Sequence, residues 1–80
     1  MRRYYFDFLD ARGLVVDDEG RELSDVEAVQ MEAARSLVDM ARDCLLETTV
    51  VSVDQIAIQV RDDAGPVMKV RFKFEIDKTN

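Results

Sequence analysis

The 80-residue chain has no His and no Trp, one Cys, one Pro and three Gly. Without His, the sequence has no Ser–His or Cys–His catalytic pair and no imidazole metal ligand. A single Cys cannot form an internal disulfide or a thiolate zinc site. No apolar run approaches the ~18–20 residues of a membrane-spanning helix. We therefore predict no catalytic residue, no cofactor, no metal site and no membrane insertion.

Charge and size set the class of protein. The chain has 17 acidic and 11 basic residues, a net charge of −6, and 48% hydrophobic residues. This composition predicts one acidic globular domain over residues 1–80. A core this small rarely leaves more than about 3–5 kcal/mol of net stability, so a second chain could add useful buried area. The basic start, Met1-Arg2-Arg3, has no apolar run of secretory length behind it, so we expect a cytoplasmic protein.

The three glycines share one local pattern, Asp-x-x-Gly, at Gly13, Gly20 and Gly65. Asp at the first position and Gly at the fourth are typical of tight turns. Between these turns, alternation of apolar and polar residues predicts strands at about 3–10, 14–17, 55–62 and 67–76. A Ser-x-x-Glu capping box at Ser24 and Glu27 predicts a helix over about 25–47. The predicted fold class is α+β: a two-layer sandwich with an antiparallel sheet of two hairpins (ββαββ) and one long helix on one face.

The predicted helix has more apolar surface than one sheet requires. At about 100° per residue, one face is apolar and should form the core. Its members are Val26, Val29, Ala33, Leu37, Met40, Ala41 and Cys44. A second seam beside it contains Met31, Ala34, Val38 and Leu45, with Met31, Val38 and Leu45 seven residues apart, a spacing typical of helix–helix contacts. Two interpretations stay open: a partner covers this seam, or the chain's own sheet or the loop after residue 48 covers it.

Three segments together carry a resemblance to a known family. They are Arg3-Tyr4-Tyr5-Phe6-Asp7, the run Asp17-x-Glu19-Gly20-x-Glu22-Leu23 with Asp25-x-Glu27-Ala28 and Ala34-Arg35-x-Leu37 behind it, and Val60-Arg61-Asp62-x-x-Gly65. With these, the chain resembles a family of small uncharacterised bacterial proteins, a domain of unknown function frequent in alphaproteobacteria. The resemblance covers nearly the whole chain. It implies a stand-alone cytoplasmic domain with no assigned activity, cofactor or ligand, and it carries over no catalytic residue.

The last predicted strand has one positively charged face. Its cations should point away from the helix, together with an arginine and a tyrosine from neighbouring strands. This candidate anionic-ligand face consists of Tyr5, Arg61, Lys69, Arg71 and Lys73. An aromatic ring among cations could stack a base and hold phosphates. The simpler interpretation is a solvated face that protects an edge strand, and the net charge of −6 opposes general affinity for nucleic acid.

The acidic residues between Asp17 and Asp25 could coordinate Ca²⁺ or Mg²⁺ through oxygen. An EF-hand alignment with Gly20 at the sixth position places Val15 and Val26 where acidic ligands are required, so that match fails. A turn and a helix cap explain these acids more simply. We therefore expect a non-enzymatic protein-interaction module, with the helix seam as the candidate partner interface and a homodimer as one expectation. The alternative is a binder of nucleic acid or another anionic ligand on the basic face.

Overall fold

A computed structural model describes residues 1–10, 13–47 and 56–73, apart from the side chains of 44–47. It contains five strands and one helix in these residues. The elements are β1 (Arg2–Asp10), β2 (Gly13–Val15), β3 (Arg21–Leu23), α1 (Val26–Glu47), β4 (Ile56–Asp62) and β5 (Gly65–Phe72). The predicted α+β class, with an antiparallel sheet and one helix, is confirmed. The predicted strand ends at 55 and 74–76, and the loop after residue 48, lie outside the described residues.

All pairings in the sheet are antiparallel, and the strand order is β2-β1-β4-β5. The two predicted hairpins are present, and they join through β1 and β4. The register places Tyr5 opposite Arg61 and Phe8 opposite Ile58. On its other side, β1 pairs with β2 through its second half and with β3 through its first half. Strand β3 was not predicted, because three residues are too few to show an alternation.

Residues 16–20 separate β2 from β3 and form a turn around the Asp17 carboxylate. Asp17 Oδ1 accepts hydrogen bonds from the Glu19 and Gly20 amides, both at 3.1 Å. Asp17 Oδ2 accepts one from the Phe6 amide of β1 at 3.0 Å. The backbone of Gly20 has a φ of 73°, a conformation that residues other than glycine rarely adopt. The predicted Asp-x-x-Gly turn is confirmed here, and it ends β2 before Asp17, two residues earlier than predicted.

The helix begins one residue later than the predicted capping box requires. Asp25 Oδ1 accepts a hydrogen bond from the Ala28 amide at 2.8 Å, which makes Asp25 the N-cap of α1. The prediction of a box between Ser24 and Glu27 is therefore wrong. Ser and Asp are both good caps, so their order in the sequence could not decide between them. No helix among the described residues combines the length and the apolar character needed to cross a membrane.

The core lies between α1 and one face of the sheet. Its helix side consists of Val29, Ala33, Leu37 and Ala41, and its sheet side of Tyr4, Ile56, Ile58 and Val60. At the positions whose side chains the structure describes, this agrees with the predicted apolar face with one exception; the side chain of Cys44, also predicted on this face, lies outside them. Val26 is 55% exposed, because it is the first helical residue and lies ahead of the part that packs on the sheet. The alternate residues of β1 and β4 lie on the opposite, outer face, where the candidate site residues of the sheet are found.

Candidate functional site

The outer face of the sheet contains a buried ion pair between β1 and β4. Arg61 Nε donates to Asp7 Oδ2 at 2.9 Å, and Arg61 Nη2 donates to Asp7 Oδ1 at 3.5 Å. Asp7 is only 5% exposed. The Arg61 guanidinium also stacks over the Tyr5 ring, 4.4 Å from its centroid, because these two residues are directly opposite in the sheet. The strand register thus brings together three residues that are far apart in sequence.

The same group holds the turn at Asp17 against the sheet. Arg61 Nη2 donates to the Asp17 carbonyl at 2.8 Å, and the Asp17 amide donates to Asp7 Oδ1 at 2.9 Å. We call Tyr5, Asp7, Asp17 and Arg61 the Arg61 cluster. Every member comes from a segment that carries the family resemblance described above.

Electrostatics in the Arg61 cluster favour the charged forms. Partial burial alone would raise the pKa of Asp17, but three backbone amides and the Arg61 guanidinium outweigh this effect, so the pKa lies below its ordinary value. The hydrogen bond with Asp7 raises the pKa of Arg61 further above the physiological range. Both Asp7 oxygens accept hydrogen bonds, and no buried side-chain N or O atom in the described residues lacks a partner. The cluster therefore has the character of a structural clasp that connects β1, β4 and the 16–20 turn.

The basic residues of the candidate anionic-ligand face divide into two groups in the structure. Tyr5 and Arg61 belong to the Arg61 cluster, where Asp7 compensates the charge of Arg61. Lys69, Arg71 and Lys73 line one depression of about 350 Å³, together with Leu9 and Ala57. Lys69 and Arg71 are exposed, and neither forms an ion pair with any residue in the described part of the chain. Lys69 also lines a second depression, of about 430 Å³, together with Asp7 and Arg61, so the exposed charge of Lys69 and Arg71 is not confined to one depression.

The second helical seam lies on the flank of α1, beside the face that packs on the sheet. Met31 is 67% exposed and Val38 is 60% exposed. Ala34 between them is also exposed, and the side chain of Leu45 lies outside the described residues. We call Met31, Ala34 and Val38 the helix stripe. The exposure of these three residues shows that the sheet does not curl around the helix far enough to cover the stripe.

Sequence reasoning did not find the Arg61 cluster, although it placed Tyr5, Asp7 and Arg61 on the outer sheet face. The missing information was the register between β1 and β4, which are separated by about fifty residues. Two of the acids that the sequence offered as cation ligands have another role, because the Asp17 and Asp25 carboxylates accept hydrogen bonds from backbone amides. Within the described ranges, no group of three or more Asp, Glu or Cys side chains is arranged to hold a metal ion.

Comparison with known proteins adds one finding. A family model described as a domain of unknown function (DUF6894) matches residues 3–73. No curated protein and no solved structure matches the chain. Except for Arg2, the first residue of β1, the matched range includes the helix and the five described strands, and with them both the Arg61 cluster and the helix stripe.

Proposed function

The chain belongs to the DUF6894 family, and we propose that this domain of unknown function is a non-enzymatic protein-interaction module that docks a partner on its helix. One observation carries the proposal: Met31 and Val38 are both more than half exposed, and they are seven residues apart on the flank of α1 beside its core face. A bacterial origin and a cytoplasmic location, which the resemblance implies, belong to the same proposal.

The helix stripe has the properties of a helix-docking surface. Exposed apolar side chains at seven-residue spacing can pack into the facing side of a second helix. The small side chain of Ala34 lets the backbone of that helix come close to α1. Full burial of a Met or Val side chain contributes roughly 1.5–3 kcal/mol, so the stripe could supply most of the energy of a weak complex.

The flank of the stripe indicates the charge of the partner. Arg35 and Arg42 follow one side of the stripe, and both are exposed with no ion pair among the described residues. Antiparallel pairing of α1 with a second copy would bring the arginines of the two copies together, and like charges at this position oppose association. We therefore favour a partner helix that carries apolar residues flanked by Asp or Glu.

Two synthetic three-heptad peptides test this proposal. Both carry Leu at seven-residue spacing, one flanked by Glu and the other by Lys. Isothermal titration should show binding of the Glu peptide and at least tenfold weaker binding of the Lys peptide. Val38→Asp should abolish binding, whereas Ser36→Asp, which adds the same charge to a half-buried position on the other flank of α1, should not. Equal binding of both peptides, or none, contradicts the proposal.

Self-association through the helix is the other expectation from the sequence. Sedimentation velocity distinguishes it from binding of a different partner helix. A dimer of the free chain that Val38→Asp dissociates would show that a second copy occupies the stripe. A free chain whose sedimentation is the same with and without Val38→Asp leaves the acidic partner helix as the occupant.

A second candidate function rests on a different observation, the depression lined by Lys69, Arg71 and Lys73 over Leu9 and Ala57. The exposed cations Lys69 and Arg71 beside a partly apolar floor suit an anion with a flat ring, such as a nucleotide in a single strand. Fluorescence anisotropy with labelled single-stranded DNA and RNA at low salt tests this function. Lys69→Glu and Arg71→Glu should each weaken binding, and Arg35→Glu provides the same charge change on the helix as a control. No binding, or an equal effect of the control, counts against it.

A further inference from the structure

Strand β2 is an edge strand with the side-chain pattern of an interior strand. Leu14, Val15 and Val16 are 50%, 65% and 57% exposed. Leu14 lies opposite Leu9 on the outer face of the sheet, and Val15 lies opposite Phe8 on the helix face. Edge strands usually carry charges or a polar face that discourage further pairing, whereas strands with apolar residues on both faces are usually buried between neighbours.

The backbone of β2 also has bonding capacity on its free side. The Phe6 amide points from β1 toward Asp17, on the same side of β1 as β2. In an antiparallel ladder the bonding direction alternates, so Phe8 and Val15 form a hydrogen-bonded pair. The N–H and C=O of Leu14 therefore point away from β1, where no strand of the described residues lies.

We propose that β2 pairs in antiparallel fashion with β2 of a second copy, about a two-fold axis at Val15, so that the two sheets join into one. This surface is separate from the helix stripe and goes beyond the function proposed above. Val16 directly follows β2, and the pairing would extend the strand by this residue. Leu14 of one copy would then face Val16 of the partner copy through backbone hydrogen bonds, and the two Val15 residues would meet as a non-hydrogen-bonded pair. Apolar side chains would then contact each other on both faces of the joined sheet.

Charge favours a second copy in this orientation. Residues 13–16 carry no charge, and three acids follow them from Asp17 to Glu19. Antiparallel pairing about Val15 places the acidic turns of the two copies at opposite ends of the paired segment, where they do not face each other. Parallel pairing would instead set the two acidic runs about 5 Å apart. The contact is short, so the dimer should be weak.

Disulfide trapping tests the register. The Cα atoms of a non-hydrogen-bonded pair are about 4.5 Å apart, which is within the range that a disulfide can bridge. Under mild oxidation Val15→Cys should give a covalent dimer. Val26→Cys places a thiol at a similarly exposed valine away from the edge, and the wild-type chain reports any reaction of its own Cys44. No dimer from Val15→Cys, or equal yields from Val15→Cys and Val26→Cys, overturns the proposed pairing.

Sedimentation equilibrium tests the pairing without a covalent bond. Val15→Glu should weaken the dimer more than tenfold, and Val26→Glu, which adds the same charge elsewhere, should not. Leu14→Pro removes only the outward N–H and should also weaken it, with far-UV circular dichroism to verify the fold of each variant. Val38→Glu should leave this dimer intact, so failure here is distinguishable from failure of the helix proposal. A chain that stays monomeric at roughly 1 mM, or a dimer that only Val38→Glu dissociates, overturns the inference.

Discussion

Replacing Arg61 by Met tests whether the Arg61 cluster is a clasp. The substitution keeps an apolar stem but leaves the Asp7 carboxylate, which is 5% exposed, without its cation. It also removes the hydrogen bond to the Asp17 carbonyl and the stacking on Tyr5. Removing one partner of a buried pair costs about 3–5 kcal/mol. Because the Arg61 side chain is 38% exposed, water screens part of this cost, and we expect a loss of stability below that range but larger than the loss for an exposed ion pair.

The assay is urea unfolding followed by circular dichroism at pH 7. Arg2→Met is the matched control, because Arg2 pairs with Asp62 at 3.2 Å but is 66% exposed. An exposed pair of this kind contributes less than about 1 kcal/mol. The double variant Asp7→Leu with Arg61→Met should recover part of the loss, because it leaves no unpaired buried charge. If Arg61→Met costs no more than Arg2→Met, the cluster is not a clasp and the reasoning is refuted.

Three further predictions concern the turn and the helix cap. In urea unfolding, Gly20→Ala should destabilise the domain by about 2 kcal/mol and by more than Gly65→Ala. Both glycines have positive φ, but only at Gly20 would an added Cβ lie 2.9 Å from a backbone atom of β1. Asp17→Asn should reduce the loss of stability between pH 7 and pH 3. The folded state lowers the pKa of Asp17, so its contribution is complete above an unfolded-state pKa of about 3.9 and is lost as the pH falls through the lower folded-state pKa. An equal acid-induced loss in both proteins contradicts this. Asp25→Ala should lower the free energy of unfolding by about 1 kcal/mol and Ser24→Ala should leave it almost unchanged. The reverse order would show that Ser24 caps the helix.

The order of the elements and the core face of the helix were predictable from the sequence because their causes are local. Alternation along β4 and β5 and the apolar period of α1 depend on residues within a few positions of one another. The turn at Gly20 was predictable for the same reason, since Asp17 and Gly20 are three residues apart. Where two local signals competed, as for the helix cap at Ser24 and Asp25, the sequence indicated the right region and the wrong residue.

The tertiary structure decided the rest through contacts between distant segments. The register of β1 with β4 brings Asp7 to Arg61, 54 residues away, and this contact directs the Arg61 guanidinium to a carboxylate of the same chain. The packing of Val29, Ala33 and Leu37 on the sheet determines which side of α1 is covered and leaves Met31 and Val38 exposed. Apolar periodicity reports that a side chain is suited to burial, but only the position of the neighbouring element determines whether it is buried. For this protein, the sequence alone indicated the helix and four of the five described strands, because their signals are local, and the three-dimensional pairing decided which apolar side chains stay exposed.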